Sequence, residues 1–162
     1  MKNGKILVGI THGDINGVGY EIILKLFSEP MMLELCTPII YGSPKVATYH
    51  RKAMELTTNF VTIQKGDEAV EGRLNLVDCL TDEVKIDFGQ PSAESGKAAL
   101  AALERAMADY REGLFDVLVT APINKATIQG DGFHFPGHTE YIQERAGEGR
   151  EALMILMNDV LR

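Results

Sequence analysis

The sequence predicts an α/β fold, an α/β/α sandwich with a largely parallel sheet, and three observations carry that reading. Ile6-Leu-Val-Gly-Ile10 is an apolar run without polar alternation, the pattern of a strand covered on both faces. Such runs alternate with stretches of helical spacing in the order βαβα, as parallel strands require. The first run ends in a glycine turn, Gly13-Asp-Ile-Asn-Gly-Val-Gly19, that leads straight into an amphipathic stretch.

Taken in order, residues 5–11 read as a buried strand and Tyr20 to Phe27 as a helix on the sheet, closed by Pro30. The turn between them resembles a phosphate-binding opening, yet its spacing is not GxGxxG and it has no Walker lysine. Its glycines are read rather as permitting a tight turn. His12 and Asp14 flank it; the carboxylate there either meets a ribose or a cation or forms the turn itself. Pro38 to Gly42 is the second strand, and Ser43-Pro44 opens a helix that runs to about Leu56. His50, among Tyr49, Arg51 and Lys52, is expected at the solvated surface. Phe60–Ile63 and Leu74–Val77 are short strands separated by a polar loop.

Gly89-Gln-Pro-Ser92 begins the next helix, whose stripe of Leu100, Leu103, Met107 and Tyr110 is read as core. Ser95-Gly96-Lys97 is not a P-loop, because Pro91 and Ala98 stand where a glycine and a hydroxyl are needed. Gly113 ends the helix, and residues 116–121 form a strand that is expected to be buried and to stop at Ala121-Pro122. Thr139 to Ala146 is a further helix with Thr139 as its N-cap and Gly147 at its end, and Ala152 to Met157 a last strand. No polar tail or closing helix follows, so the chain is expected to be part of a longer fold or to need a partner.

With 162 residues, 45% of them apolar, the chain suffices for a core, and its net charge of −7 without a Lys/Arg cluster argues against a nucleic-acid surface. Cys36 and Cys79 lack CxxC spacing, so reduced thiols in a cytoplasmic protein are expected, and no apolar run is long enough to cross a membrane. The four histidines form no HxH or HExxH pattern, so no complete metal site is visible.

Polar chemistry gathers after the strand that ends at Thr120. Open α/β sheets bind ligands beyond the carboxyl ends of their strands, which is where Asn124 and Lys125 fall. Asn124 orients a ligand or makes an Asx turn. A second glycine turn then delivers His138, Thr139 and Glu140 at a helix start, so an anion can sit between the two groups. A bound phosphate or carboxylate would favour the protonated imidazole. His134, between Phe133 and Phe135, reads as packing or a loop anchor.

Thr11-His-Gly-Asp-Ile-Asn-Gly-Val-Gly-Tyr-Glu21, Gly89-Gln-Pro-Ser-Ala-Glu-Ser-Gly96, Thr120-Ala-Pro-Ile-Asn-Lys125 and Phe135-Pro-Gly-His-Thr-Glu140 together resemble the 4-hydroxythreonine-4-phosphate dehydrogenase family of pyridoxal phosphate biosynthesis. The resemblance covers essentially the whole chain. It implies NAD-dependent oxidation and decarboxylation of 4-phosphooxy-L-threonine to 3-amino-2-oxopropyl phosphate, with His138 and Thr139 on the phosphorylated substrate. It also implies a homodimer with a shared active site and a divalent metal such as zinc, magnesium or cobalt, whose histidines come after Arg162. The implied fold is that of isocitrate and isopropylmalate dehydrogenases, with residues 1–121 forming most of the first domain and 122–162 the start of the second. Ile15, Asn16 and Tyr20 depart from the Pro, Ala and Pro of many relatives. The alternatives are a dehydrogenase of a related phosphorylated hydroxy acid, a phosphate acyltransferase, or a non-catalytic metabolite-binding module.

Overall fold

The computed structural model describes residues 4–81, 83–130 and 132–158. Five strands, β1 (Ile6–Thr11), β2 (Cys36–Gly42), β3 (Phe60–Ile63), β4 (Leu74–Asp78) and β5 (Val117–Thr120), form one sheet in the order β3-β4-β2-β1-β5. Every pairing is parallel; Ile10, for example, stands beside Ile40 on one side and Val119 on the other. Alternate residues of each strand feed opposite faces. On one face Ile10, Ile40, Leu74 and Leu76 pack with α1 (Gly19–Leu26), α2 (Pro30–Leu35) and α3 (Pro44–Ala53). On the other, Leu7, Ile39, Tyr41, Ile63 and Val77 meet Ala102 and Ala106 of α4 (Ala93–Arg111). Alanines there let a long helix lie close to the strands.

α4 is covered on its far side too. Ala99, Leu103 and Met107 pack with Ile128 of α5 (Lys125–Ile128) and Tyr141 of α6 (His138–Ala146), joined by Phe133. Leu103 and Met107 are therefore core, as expected, but their partner is the outer helix pair rather than the sheet. Tyr110 of the same predicted stripe is exposed, its ring resting against Phe115. Ser92 caps α4 by accepting from Ser95 N, and Gly113 follows it at φ +71°, as a helix-ending glycine should.

The structure corrects several expectations. Pro30 opens α2 instead of merely closing α1, because its fixed φ and missing N–H suit a first helical position. α3 stops at Ala53, short of Leu56, and Glu55 beyond it turns left-handed at φ +54°. β5 is an edge strand: Val117 and Val119 are 46% and 48% exposed, since no helix of the α1–α3 layer covers them. Residues 152–157 form no strand, and Leu153 is 84% exposed because among the described residues no strand pairs with that segment. His50 is fully buried, its Nε2 donating to the Ile15 carbonyl (2.7 Å), whereas His134 is exposed while Phe133 and Phe135 make the ring contacts. Among the described residues no helix is long and apolar enough to cross a membrane, and both cysteines are free thiols.

Candidate functional site

The strand order places a switch point between β1 and β5. From β1 the chain crosses toward β2 under the α1–α3 layer, and it reaches β5 by way of α4 on the opposite face. The loops leaving β1 and β5 therefore meet at the carboxyl edge of the sheet, where open α/β folds hold ligands. Asp14 N donates to the Pro122 carbonyl (2.9 Å), and a Cβ on Gly13, which has φ +72°, would run into that same oxygen.

The glycine turn itself is closed. Asp14 Oδ1 accepts from Asn16 N (2.9 Å) and the Asp14 carbonyl from Gly17 N (3.0 Å), while Gly19 lies against the His12 carbonyl. The N–H groups of Asp14, Asn16 and Gly17 are therefore committed within the fold and not available to a phosphate. Asp14 thus forms the turn, and the glycines serve close packing. Ile15, Asn16 and Tyr20 are buried here as one set: Ile15 carries the carbonyl that His50 donates to, Asn16 bonds the segment before α4, and the Tyr20 hydroxyl accepts from Ser43 N (2.8 Å). His12 stacks on Tyr20 at 5.1 Å and 10°. Among the described residues neither of its ring nitrogens has a hydrogen-bond partner, and burial holds its pKa down at about 4.

The polar cluster lies beyond β5. Asn124 caps the single turn of α5, its Oδ1 accepting from Ala126 N (3.0 Å), which makes Lys125 the first helical residue. The chain then doubles back through the Gly130–Phe133 bridge, with Gln129 Nε2 donating to the Phe135 carbonyl (2.8 Å). Phe133, Phe135 and Tyr141 form a ring cluster, centroids 5.3 to 5.6 Å apart, that docks α6 on α4 and points its amino end toward Lys125.

Between the two helix starts lies a cleft of about 320 Å³ lined by Ile123, Lys125, Pro136, Gly137, His138, Thr139 and Glu140. Three of the four residues singled out from sequence line it, and Asn124 sits behind as the cap. Gly137, not Thr139, is the N-cap of α6, and no side chain caps that end, so Thr139 is a second helical residue facing the cleft. A helix start without a capping side chain is suited to an anion. A Cβ on Gly137 would stand 3.9 Å from Lys125 Nζ and 3.7 Å from Glu140 Oε2, which places this glycine between an ammonium and a carboxylate. His138 Nε2 is buried with no hydrogen-bond partner among the described residues. Burial, then the charge of Lys125, pushes the imidazole below its ordinary pKa.

Sequence reasoning missed Gly137 as the cap and Ile123 and Pro136 as walls; the Pro-Gly pair before His138 was the available signal. A second cleft of about 270 Å³ opens after β4, but its carboxylates are engaged: Glu94 Oε2 accepts from Lys85 N (3.3 Å) and Glu83 pairs with Lys45 (2.8 Å). Among the described residues no three His, Cys, Asp or Glu side chains are grouped to hold a metal ion, so they do not fit that group.

Comparison with known proteins bears on the same residues. The family model described as pyridoxal phosphate biosynthetic protein PdxA matches residues 34–162. A 4-hydroxythreonine-4-phosphate dehydrogenase of Bacteroides thetaiotaomicron is 64% identical over the whole of this chain, which covers 44% of that protein. One from Aquifex aeolicus is 36% identical over 91% of this chain and 45% of its own length. The crystal structure of a 4-hydroxythreonine-4-phosphate dehydrogenase from Burkholderia phymatum superposes with a TM-score of 0.81 at 30% identity, over 90% of this chain and 44% of that one. The chain thus spans under half the length of the relatives it matches.

Proposed function

The chain belongs to the pyridoxal phosphate biosynthetic protein PdxA family, and from that premise we propose that it is the amino-terminal part of an NAD-dependent decarboxylating dehydrogenase. The proposed substrate is 4-phosphooxy-L-threonine and the product 3-amino-2-oxopropyl phosphate. One observation carries the reading to residues: Lys125 and His138, whose Nε2 is buried without a hydrogen-bond partner among the described residues, line one cleft at the uncapped start of α6. Lys125, His138 and Thr139 hold the phosphorylated substrate there, and Asn124 sets the helix turn that presents Lys125. A phosphate between an ammonium and an imidazole stabilises the protonated ring, so substrate binding takes up a proton at His138.

In this reading residues 1–121 make most of the first domain and 122–162 begin the second. The described residues supply no metal-ligand cluster. The ligands of a zinc, magnesium or cobalt ion are therefore assigned to the rest of a family-length protein, which binds NAD, in a cytoplasmic homodimer whose subunits share the site. The test is turnover by the full-length protein, followed as NAD reduction with 4-phosphooxy-L-threonine. His138→Ala is expected to raise KM for that substrate at least about tenfold while leaving KM for NAD nearly unchanged. Unchanged kinetics would remove His138 from the site, and acyl transfer from an acyl phosphate to coenzyme A without NAD reduction would replace the dehydrogenase reading.

A further inference from the structure

Resting on the anion-cleft reading, we infer that Asn16 is a positioning residue for Lys125, because its side chain anchors the approach to α4, one support of α5, while its backbone joins the turn that holds the other. Asn16 is 3% exposed. Its Oδ1 accepts from Asp87 N (2.9 Å), its Nδ2 donates to the Gln90 carbonyl (2.8 Å), and its own carbonyl accepts from Gly89 N (2.8 Å). Three bonds thus hold the segment that leads into α4. Toward the other side, Asn16 N donates to Asp14 Oδ1 (2.9 Å) and Asp14 N to the Pro122 carbonyl (2.9 Å). Pro122 stands just ahead of Asn124, the cap of α5.

α4 returns to the same place from the opposite direction. Gly96, in its first turns, lies so close to the Thr127 carbonyl of α5 that a Cβ there would collide with it. A four-residue helix has no rigidity of its own, so α5 is placed by what it leans on: Pro122 before its cap and Gly96 on its flank. The Asn16 side chain bears on the second support, through the segment that leads into α4, and its N–H reaches the first only by way of Asp14. α4 also carries α6 through Leu103, Met107 and Tyr141, so a slip between the glycine turn and α4 changes the distance from Lys125 to His138.

The amide is needed because it donates and accepts at once. An ionised aspartate at this position would still accept from Asp87 N but would oppose the Gln90 carbonyl; protonated, it restores both bonds. Burial raises such a carboxyl into a measurable range. In the full-length protein, Asn16→Ala is expected to raise KM for the phosphorylated substrate roughly tenfold with a smaller change in kcat, since small misplacements of a binding group are costly. The ratio of the Asn16→Asp variant's KM to that of the unsubstituted protein should stay near one at about pH 5.5 and climb toward about pH 8, as the introduced carboxyl ionises. Lys125→Met is measured alongside. Asn16 variants that melt earlier but keep an unchanged KM at every pH, beside a raised KM in Lys125→Met, would overturn the inference and leave the functional reading standing. An unchanged KM in Lys125→Met would overturn the reading of that lysine and, with it, the purpose assigned to Asn16.

Discussion

His12 and His138 both have depressed pKa values, yet only one faces a cleft. His12 is enclosed by Tyr20, Gly42 and the amino-terminal half of α4, and its folded pKa of about 4 lies below its ordinary 6.5. Protonation therefore favours the unfolded chain. The contribution to stability is fully present above pH 6.5 and is lost as pH falls from there through the folded value, by on the order of 3 kcal/mol in all. His12→Phe, which keeps a ring against Tyr20, should flatten that part of the acid-unfolding profile; an unchanged slope between about pH 6 and about pH 4 would mean that His12 does not titrate with unfolding. His138 is governed by binding instead. Free, it sits below its ordinary pKa because of burial and Lys125, and a phosphate between them raises it again. Affinity for inorganic phosphate should then rise as pH falls through the bound-state pKa, and His138→Gln should bind weakly without that slope in calorimetric titrations across pH.

At the scale of elements, the helix and strand starts were legible wherever one local residue decides them. Ser92 caps α4 through its hydroxyl, and Gly113 follows its end at φ +71°, which the missing Cβ permits. What local pattern could not reveal was which face of an element finds a partner. Asp116 to Ala121 reads as apolar as β1 does, but its exposure follows from lying at the sheet edge, a property of strand order. His50 has cationic neighbours in sequence and is buried by Phe88 and Tyr20, which come from other elements. The cluster of Lys125, His138 and Thr139 was readable because two loop motifs carry it, whereas Gly137 as cap and Asn16 as tie depend on tertiary approach. Gly96 offers a test at this scale. Its place at the α4–α5 crossing implies that Gly96→Ala, although favourable to an isolated helix, should destabilise the protein by about 2 kcal/mol through overpacking against the Thr127 carbonyl. Denaturant unfolding of the variant measures this; a gain in stability would show that the crossing relaxes freely.

The whole molecule leaves a coherent apolar surface on the α1 side of the sheet. Val117 and Val119 of β5 stand beside Val8 and Ile10, facing the layer in which α1 lies, yet that layer does not extend over them. Val18, Ile22 and Leu26 form an exposed stripe along α1 at spacings of four, so the helix too presents apolar side chains outward. Leu153 to Met157 add a run of five exposed apolar residues at the far end of the described chain. A parallel sheet is stable when both faces are covered, and a monomer rarely leaves this many large apolar side chains in water. Proteins of the family are more than twice as long as this chain, which spans 44% of the Bacteroides relative. Residues 1–162 produced alone should therefore bind a hydrophobic dye and self-associate with rising concentration, and Val117→Thr with Val119→Thr should reduce both. A protein of the relatives' length should bind little dye, the expected result of segments outside this span covering β5. A monomeric, dye-silent 1–162 chain would mean that the edge of the sheet tolerates water as it stands, and that the cleft between α5 and α6 has no need of a longer chain for its shape.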